Sequence, residues 1–396
     1  GDTNPNIWTG YLSSIRGGKV FLNHPFASNQ IQSYITGYED LRDSEYEYKP
    51  YNSVPEFFRT GAFTSQSIGI NGGNGDYNYN VTYSRVEDQS FVPGNELKKN
   101  NFGVGGSAVM GKLKVSAGIN IARTDLKSPP IAASRGSGVE GDGASLFGDL
   151  MYTPRSVDLT NIPFERLTDG GNLYYRQTNG IQNPRWTVKN SKTGQQVDRF
   201  FGNFNLSYQL SDNLNVVYRY GLDIYNESSF YGQNAGGPDG NPLGLYRTQY
   251  VRNSIKDHNL TVNYDKDLND DLNLKVIVGG NSNSIRFRRD GLESNRQIVF
   301  GVLKHWNFTD VSSSSSFSGV NFQAAETNNT LGIFGDVTLG YKDYLYLNGA
   351  VRHDWTSTLE RENNSITYPS ASVSFIATNA FEALKSDGLG LNYMKV

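Results

Sequence analysis

Two runs in this sequence have residue types and spacings that could handle a ligand on their own. Gly136-Ser137-Gly138-Val139-Glu140-Gly141 matches G-x-G-x-x-G, the pattern whose glycines let a backbone approach a dinucleotide pyrophosphate. That chemistry also needs a strand before the run and a helix opening after it. Neither is written around residues 136–141, so an external loop is the better reading. Asp265, Asp267, Asn269 and Asp271 place oxygen ligands at alternate positions, as a calcium loop does. Asp270, however, stands where such a loop needs glycine for its turn, and Val276 where it needs a bidentate glutamate. A solvated hairpin turn is expected there instead. The four histidines, His24, His258, His305 and His353, are scattered without metal-ligand spacing, and the absence of cysteine removes disulfides and thiolate sites. No G-x-S-x-G or H-E-x-x-H occurs, so the expectation is a protein that is not an enzyme, with no catalytic residue, no metal and no cofactor.

Binding is the chemistry left. Tyr174, Tyr175, Arg176 and Trp186 form an aromatic and basic cluster suited to stacking on a sugar or a peptide. The competing reading is that these rings pack their own loop or meet a neighbouring subunit. Arg219, Asp223, Arg352 and Asp354 fall at polar strand positions from which they could touch cargo. Against that stands the plainer role of solvated or mutually paired wall residues.

The elements that must position these residues are written as hairpins. Phe200, Gly202, Phe204, Leu206, Tyr208 and Leu210 share one parity, and Phe201, Asn203, Asn205, Ser207 and Gln209 the other. After Ser211-Asp212-Asn213, the apolar parity resumes with Leu214, Val216, Tyr218, Tyr220, Leu222 and Ile224. Successive strand side chains point to opposite faces, so the pattern makes one apolar and one polar face. Each arm runs about ten residues, the length a tilted strand needs to cross hydrocarbon. Similar hairpins turn at residues 72–76, 111–112, 265–271 and 342–343, giving about eleven spanning strands, with residues 389–396 as a possible twelfth. Short turns alternate with long connections at 87–100, 123–198, 225–257, 282–329 and 354–366. That sorting is expected of an outer-membrane barrel with short periplasmic turns and long extracellular loops. Tyr341, Tyr344 and Tyr346 crowd one short turn, where an aromatic girdle would lie. Residues 1–60 lack periodicity and read as a loop-rich segment at the start of a barrel region spanning 61–396.

Composition agrees with this class. Hydrophobic residues are 37% and mean hydropathy is -0.53, so any crossing is by strands, half of whose residues face water. The formal net charge of -3 and the lack of a long basic run exclude nucleic acid as an expected partner. Gly1-Asp2-Thr3-Asn4-Pro5 has neither the charged nor the apolar region of a signal peptide.

Several stretches resemble the SusC/RagA family of TonB-dependent outer-membrane transporters of Bacteroidetes. They include Glu56-Phe57-Phe58-Arg59-Thr60-Gly61 with residues 67–74, residues 151–159, Asn183-Pro184-Arg185-Trp186, and Arg199-Phe200-Phe201-Gly202-Asn203. Residues 335–346, 351–359 and 368–375 continue the resemblance to the end of the chain. It implies an all-β, antiparallel transmembrane β-barrel of 22 strands, of which these 396 residues hold 11 to 12. It further implies a plug and a TonB-contacting segment upstream, C-terminal strands downstream, and a SusD-like lid lipoprotein as partner. The implied cargo is an oligosaccharide or oligopeptide, imported across the outer membrane and its lipid by a multi-pass barrel. A passive channel, a surface adhesin and a soluble carbohydrate-binding β-protein are the alternatives.

Overall fold

The computed structural model of the chain describes residues 12–27, 32–129, 146–175, 182–238, 242–314, 322–385 and 392–396. Three short strands, β1 (Leu12–Arg16), β2 (Lys19–Asn23) and β3 (Glu45–Glu47), form a small sheet. The rest is dominated by one antiparallel sheet whose long members are β4 (Ala62–Gly73), β5 (Tyr77–Gln89), β6 (Glu96–Met110) and β7 (Leu113–Ser128). They continue as β8 (Ser191–Ser211), β9 (Leu214–Gln233), β10 (Leu245–Asn269) and β11 (Leu272–Gln297). After the short β12 (Phe308–Ser312) come β13 (Ala324–Tyr341), β14 (Leu345–Thr356) and β15 (Ser365–Phe375). Each long strand pairs with its neighbours in sequence from β4 to β15, β12 lying aside on β11, and the sheet is open, with β4 and β15 at its edges. Eleven membrane-length strands thus match the expected number. Residues 392–396 add only a bridge between Ile376 and Lys395 rather than a further long strand.

Register shows why this sequence makes such a wall. Tyr83, Phe102, Ile121, Phe200 and Ile224 stand side by side across five strands. Val216, Val262, Val278, Gly335 and Val351 do so from β9 across the next four long strands. All these residues share one face, and none of the even-numbered residues from Phe200 to Leu210 is buried. The apolar stretch is nine to eleven residues per strand, as in 272–280 and 331–341, which suits a hydrocarbon thickness crossed at a tilt. Tyr341, Tyr344 and Phe375 contact one another edge to face at its lower border, with ring centroids 5.5 and 5.9 Å apart. Tyr346 belongs to the opposite face, where its ring covers Gly340.

Turn chemistry closes the hairpins on one rim. Gly111 supplies a left-handed residue at φ 58°, and Lys342 and Asp343 adopt φ 47° and 55° in the β13–β14 turn. The opposite rim carries the long connections, but they are shorter than the sequence pattern implied. β9 and β10 run to 233 and from 245, and β11 and β13 run to 297 and from 324, so much of 225–257 and 282–329 is strand. Above the apolar band both faces are polar. The period-2 signal then disappears although backbone pairing continues.

Residues 12–58, expected as loop, hold the small sheet and two short helices, α1 (Glu39–Arg42) and α2 (Ser53–Phe57). Tyr46 joins Leu150, Val157, Leu159, Ile162, Tyr174 and Tyr175 in one buried cluster. The Ser53 hydroxyl donates to the Val157 carbonyl at 2.8 Å and accepts from the Leu159 amide at 3.0 Å. This core is supplied by segments about a hundred residues apart in sequence, so neither shows a periodicity of its own.

Candidate functional site

The polar face of the long sheet is lined by Asn78, Asn80, Asn120, Asn203 and Asn205 on β5 to β8, with Thr82, Ser107 and Ser116 between them. Glycines make room for these amides. A Cβ at Gly103 would stand 2.7 Å from the Thr82 hydroxyl and 2.9 Å from Asn120 Oδ1, and one at Gly105 2.8 Å from Asn80 Oδ1. The result is a shallow recess of 320 Å³ walled by amides, hydroxyls and bare backbone. Such a surface offers paired donors and acceptors without net charge. In the sequence, Asn203 and Asn205 show as the polar parity by their alternation with apolar residues, but nothing local shows that glycines open a recess around these amides.

The charged wall residues are mostly paired. Arg199 donates from Nε and Nη2 to the two oxygens of Asp223, at 2.9 and 2.5 Å. Arg352 donates from Nε to Asp354 Oδ2 at 2.8 Å and from Nη2 to Asn281 Oδ1 at 2.6 Å. The Tyr368 hydroxyl also donates to Asp354, and the Arg352 guanidinium lies 5.5 Å from the Phe334 ring centroid. This network sits over Gly332, where a Cβ would come within 2.3 Å of both Arg352 Nη2 and Asp354 Oδ1. Arg352 and Asp354 border a recess of 470 Å³ with Thr330, Thr356, Asn363 and Asn364. Arg219 is exposed on the same face between Asn205 and Asn259. The structure therefore brings Arg352 to Asp354 and Arg199 to Asp223, but Arg219 stands apart from both pairs.

The aromatic cluster resolves differently. Tyr174, Tyr175 and Trp186 are 0, 2 and 0% exposed, so no ring face is open to a cargo, and packing of their own loop describes all three. Arg176 lies outside the described residues. The Tyr174 ring meets Tyr175 edge to face at 4.6 Å, and its hydroxyl bonds Thr153. The run from Asn183 to Trp186 is a helix start. Asn183 Oδ1 accepts from the Arg185 amide at 3.0 Å, and Pro184 opens α4 (Pro184–Asn190), with α3 (Leu146–Met151) earlier in the same connection. Arg185 Nη1 donates to the carbonyls of Leu159, Thr160 and Ile162, and Trp186 Nε1 to that of Gly170 at 2.9 Å. Asp265 and Asp267, the residues that resembled a calcium loop, accept from Asn273 Nδ2 across their hairpin, both at 2.9 Å. The G-x-G-x-x-G run at 136–141 falls outside the described residues.

A rope of buried amides ties this connection to the strand ends. Asn234 donates from Nδ2 to Asn190 Oδ1 at 2.9 Å, and its Oδ1 accepts from Gln297 Nε2 at 2.9 Å and from the Gly301 amide at 3.2 Å. Ser191 donates to Gln233 Oε1 at 3.0 Å, and Asn307 Nδ2 to the Val299 and Val302 carbonyls, each at 2.8 Å.

No family model matches the chain, and no curated protein matches it. Among solved structures, the RagAB peptide transporter is similar, with a TM-score of 0.69 and 16% identity over 90% of this chain. The RagAB peptide importer in its open-open state is similar over 97% of this chain, with a TM-score of 0.67 and 16% identity. In both comparisons the chain spans about two fifths of the matched chain, 40% and 41% respectively.

Proposed function

From the premise of a SusC/RagA-type barrel wall, we propose that this chain is part of a TonB-dependent transporter of the outer membrane. It imports an oligosaccharide or oligopeptide. A SusD-like lipoprotein serves as lid over the long loops, and TonB acts through a segment beyond these residues. The reading is carried by one observation: eleven strands keep an apolar face in register from β4 to β15 while the opposite face carries amides, hydroxyls, glycines and charged side chains that are mostly paired. The solved RagAB structures, described as a peptide transporter and importer, support the same class.

In this reading the apolar face meets lipid and the amide face borders the passage. Paired charges such as Arg352 with Asp354 keep that border polar without a strong field, so a hydrated polymer can slide past rather than be held. Arg219, Asp223, Arg352, Asp354 and Arg176 are the wall and loop residues proposed to touch cargo. The barrel supplies walls and docking loops and makes or breaks no bonds.

The test is uptake of labelled oligosaccharides and oligopeptides by cells carrying the full-length gene, with and without TonB. Uptake that stops when TonB is deleted is the expected result. Uptake indifferent to TonB would identify a passive channel, and a full-length protein soluble without detergent would remove the membrane reading altogether.

A further inference from the structure

On the apolar face, just above the hydrocarbon band, β10 and β11 carry a group of cations. The band ends at the row in which His258, Ser282 and Leu331 stand side by side. Two residues higher comes Lys256, opposite Ser284; next Arg286, opposite Ser254; and then Arg252 directly opposite Arg288. All four cations are exposed and share the face of Leu260 and Val262. Their outward neighbours on β13 are Asn329, Thr327 and Ala325, all neutral. Arg288 donates to Asp290 at 2.7 Å. Arg252, Lys256 and Arg286 have no carboxylate partner among the described residues.

Like charges placed directly across two strands are destabilising, and Asp290 offsets only Arg288, which leaves Arg252, Arg286 and Lys256 to favour a further anion. Strands lie about 4.8 Å apart and rise about 3.4 Å per residue, so the group spans about 14 Å along β10, a distance that the long Lys and Arg side chains close by converging on a headgroup between them. Beside them Arg252 and Arg288 border a recess of 350 Å³ on the sheet surface with Asn226, Ser228 and the carboxylates of Asp198, Glu227 and Asp290, so an anion sits on the lower side of that pair, towards Arg286 and Lys256. Aliphatic stems of Lys and Arg at this height lie along apolar surface while their charged ends stay in the polar layer.

The geometry points to a lipid-binding site in which Arg252, Lys256, Arg286 and Arg288 hold the phosphate of an anionic lipid headgroup, its acyl chains lying on the apolar band below. Continuity with that band selects a lipid over a free anion, because no soluble phosphate gains from the apolar surface under it. The inference rests on the membrane-barrel reading proposed above.

The experiment uses the full-length protein reconstituted into bilayers, with labelled phosphatidic acid and labelled phosphatidylcholine competing for the protein surface, and inorganic phosphate as a third probe. Wild type is expected to retain phosphatidic acid over phosphatidylcholine. The Arg252→Gln/Arg286→Gln variant is expected to lose about fivefold of that preference per removed cation. Arg252→Lys/Arg286→Lys keeps most of it, which separates loss of charge from loss of fold. Equal retention of the two lipids by wild type, or an unchanged preference in the Gln variant, overturns the site. Inorganic phosphate displacing the lipid at comparable concentration overturns the choice of a lipid as occupant. Failure to enter bilayers at all would refute the barrel reading instead, so the two failures are distinguishable.

Discussion

Glu293 is 1% exposed, and its carboxylate is met by Arg247, whose Nε donates at 2.9 Å and whose guanidinium lies over Phe322. Removing one partner of such a pair strands a buried charge, which costs about 3–5 kcal/mol, whereas replacing both by apolar side chains costs far less. Glu293→Gln should therefore destabilise the strand ends around 245 and 297 by that amount, read as accelerated proteolysis there. Arg247→Met/Glu293→Leu should recover most of the loss; equal damage from both variants would contradict this account. His24 gives a pH signature. Its Nδ1 accepts from the Phe26 amide at 3.1 Å and its ring is wedged against Phe26 and Tyr46, so burial lowers its pKa to about 4. Because the unfolded chain binds this proton near the ordinary histidine value of about 6.5, stability is full above that pH and falls as pH drops towards about 4. The effect amounts to about 3 kcal/mol. His24→Gln should flatten that slope in the segment around residues 12–58, and an unchanged slope would assign it to other groups. At this scale the sequence was partly legible. Arg352 and Asp354 sit two apart on a strand and so share a face, which spacing alone reveals. The burial of Tyr174 and Trp186 depends on segments around Tyr46 and Gly170, and no local spacing reports that.

Strands were legible where water and hydrocarbon differ across the sheet and illegible where both sides are wet. Leu260, Val262 and Tyr264 alternate with Thr261 and Asn263 and so mark the strand before the 265–271 turn, but Arg247 to Lys256, equally strand, alternate nothing that hydrophobicity can show. The distinction is testable on neighbouring residues. Val262 lies near the middle of the apolar band between Val216 and Val278, and Thr261 on the opposite face between Val217 and Gly279. Val262→Arg should cost about 2–4 kcal/mol, the penalty for arginine on the lipid face at the bilayer midplane. Thr261→Arg should cost little, because its guanidinium reaches water. Heat-dependent unfolding in detergent would measure both. Equal penalties at the two positions would mean that both faces are buried, as in a soluble sandwich.

At the scale of the whole molecule two tiers are held by different forces. The wall depends on backbone ladders between long strands, every one paired to its sequence neighbour. The tier above it, built from residues 12–27, 32–58, 146–175 and 182–190, depends on a small core and on the amide rope through Asn190, Asn234, Gln297 and Asn307. Ladders of twenty or more bonded residues, as in β8 to β11, open only with the whole sheet, whereas a rope of single hydrogen bonds can open locally. Asn234→Ala withdraws the donor to Asn190 Oδ1, the acceptor of the Gly301 amide and one of the two acceptors of Gln297 Nε2, which keeps the Val302 carbonyl, at about 1–3 kcal/mol for each buried group left unsatisfied. The expected outcome is protease cleavage within residues 129–190 at least about tenfold faster than in wild type, a factor of ten corresponding to about 1.4 kcal/mol. The temperature at which the sheet unfolds in detergent should stay unchanged. A joint fall of both would show one cooperative unit, and the upper tier could then not rearrange over a passage without loosening its wall. Under the transporter function proposed above, independence of the two tiers would let the upper tier move while the strands keep lipid from water.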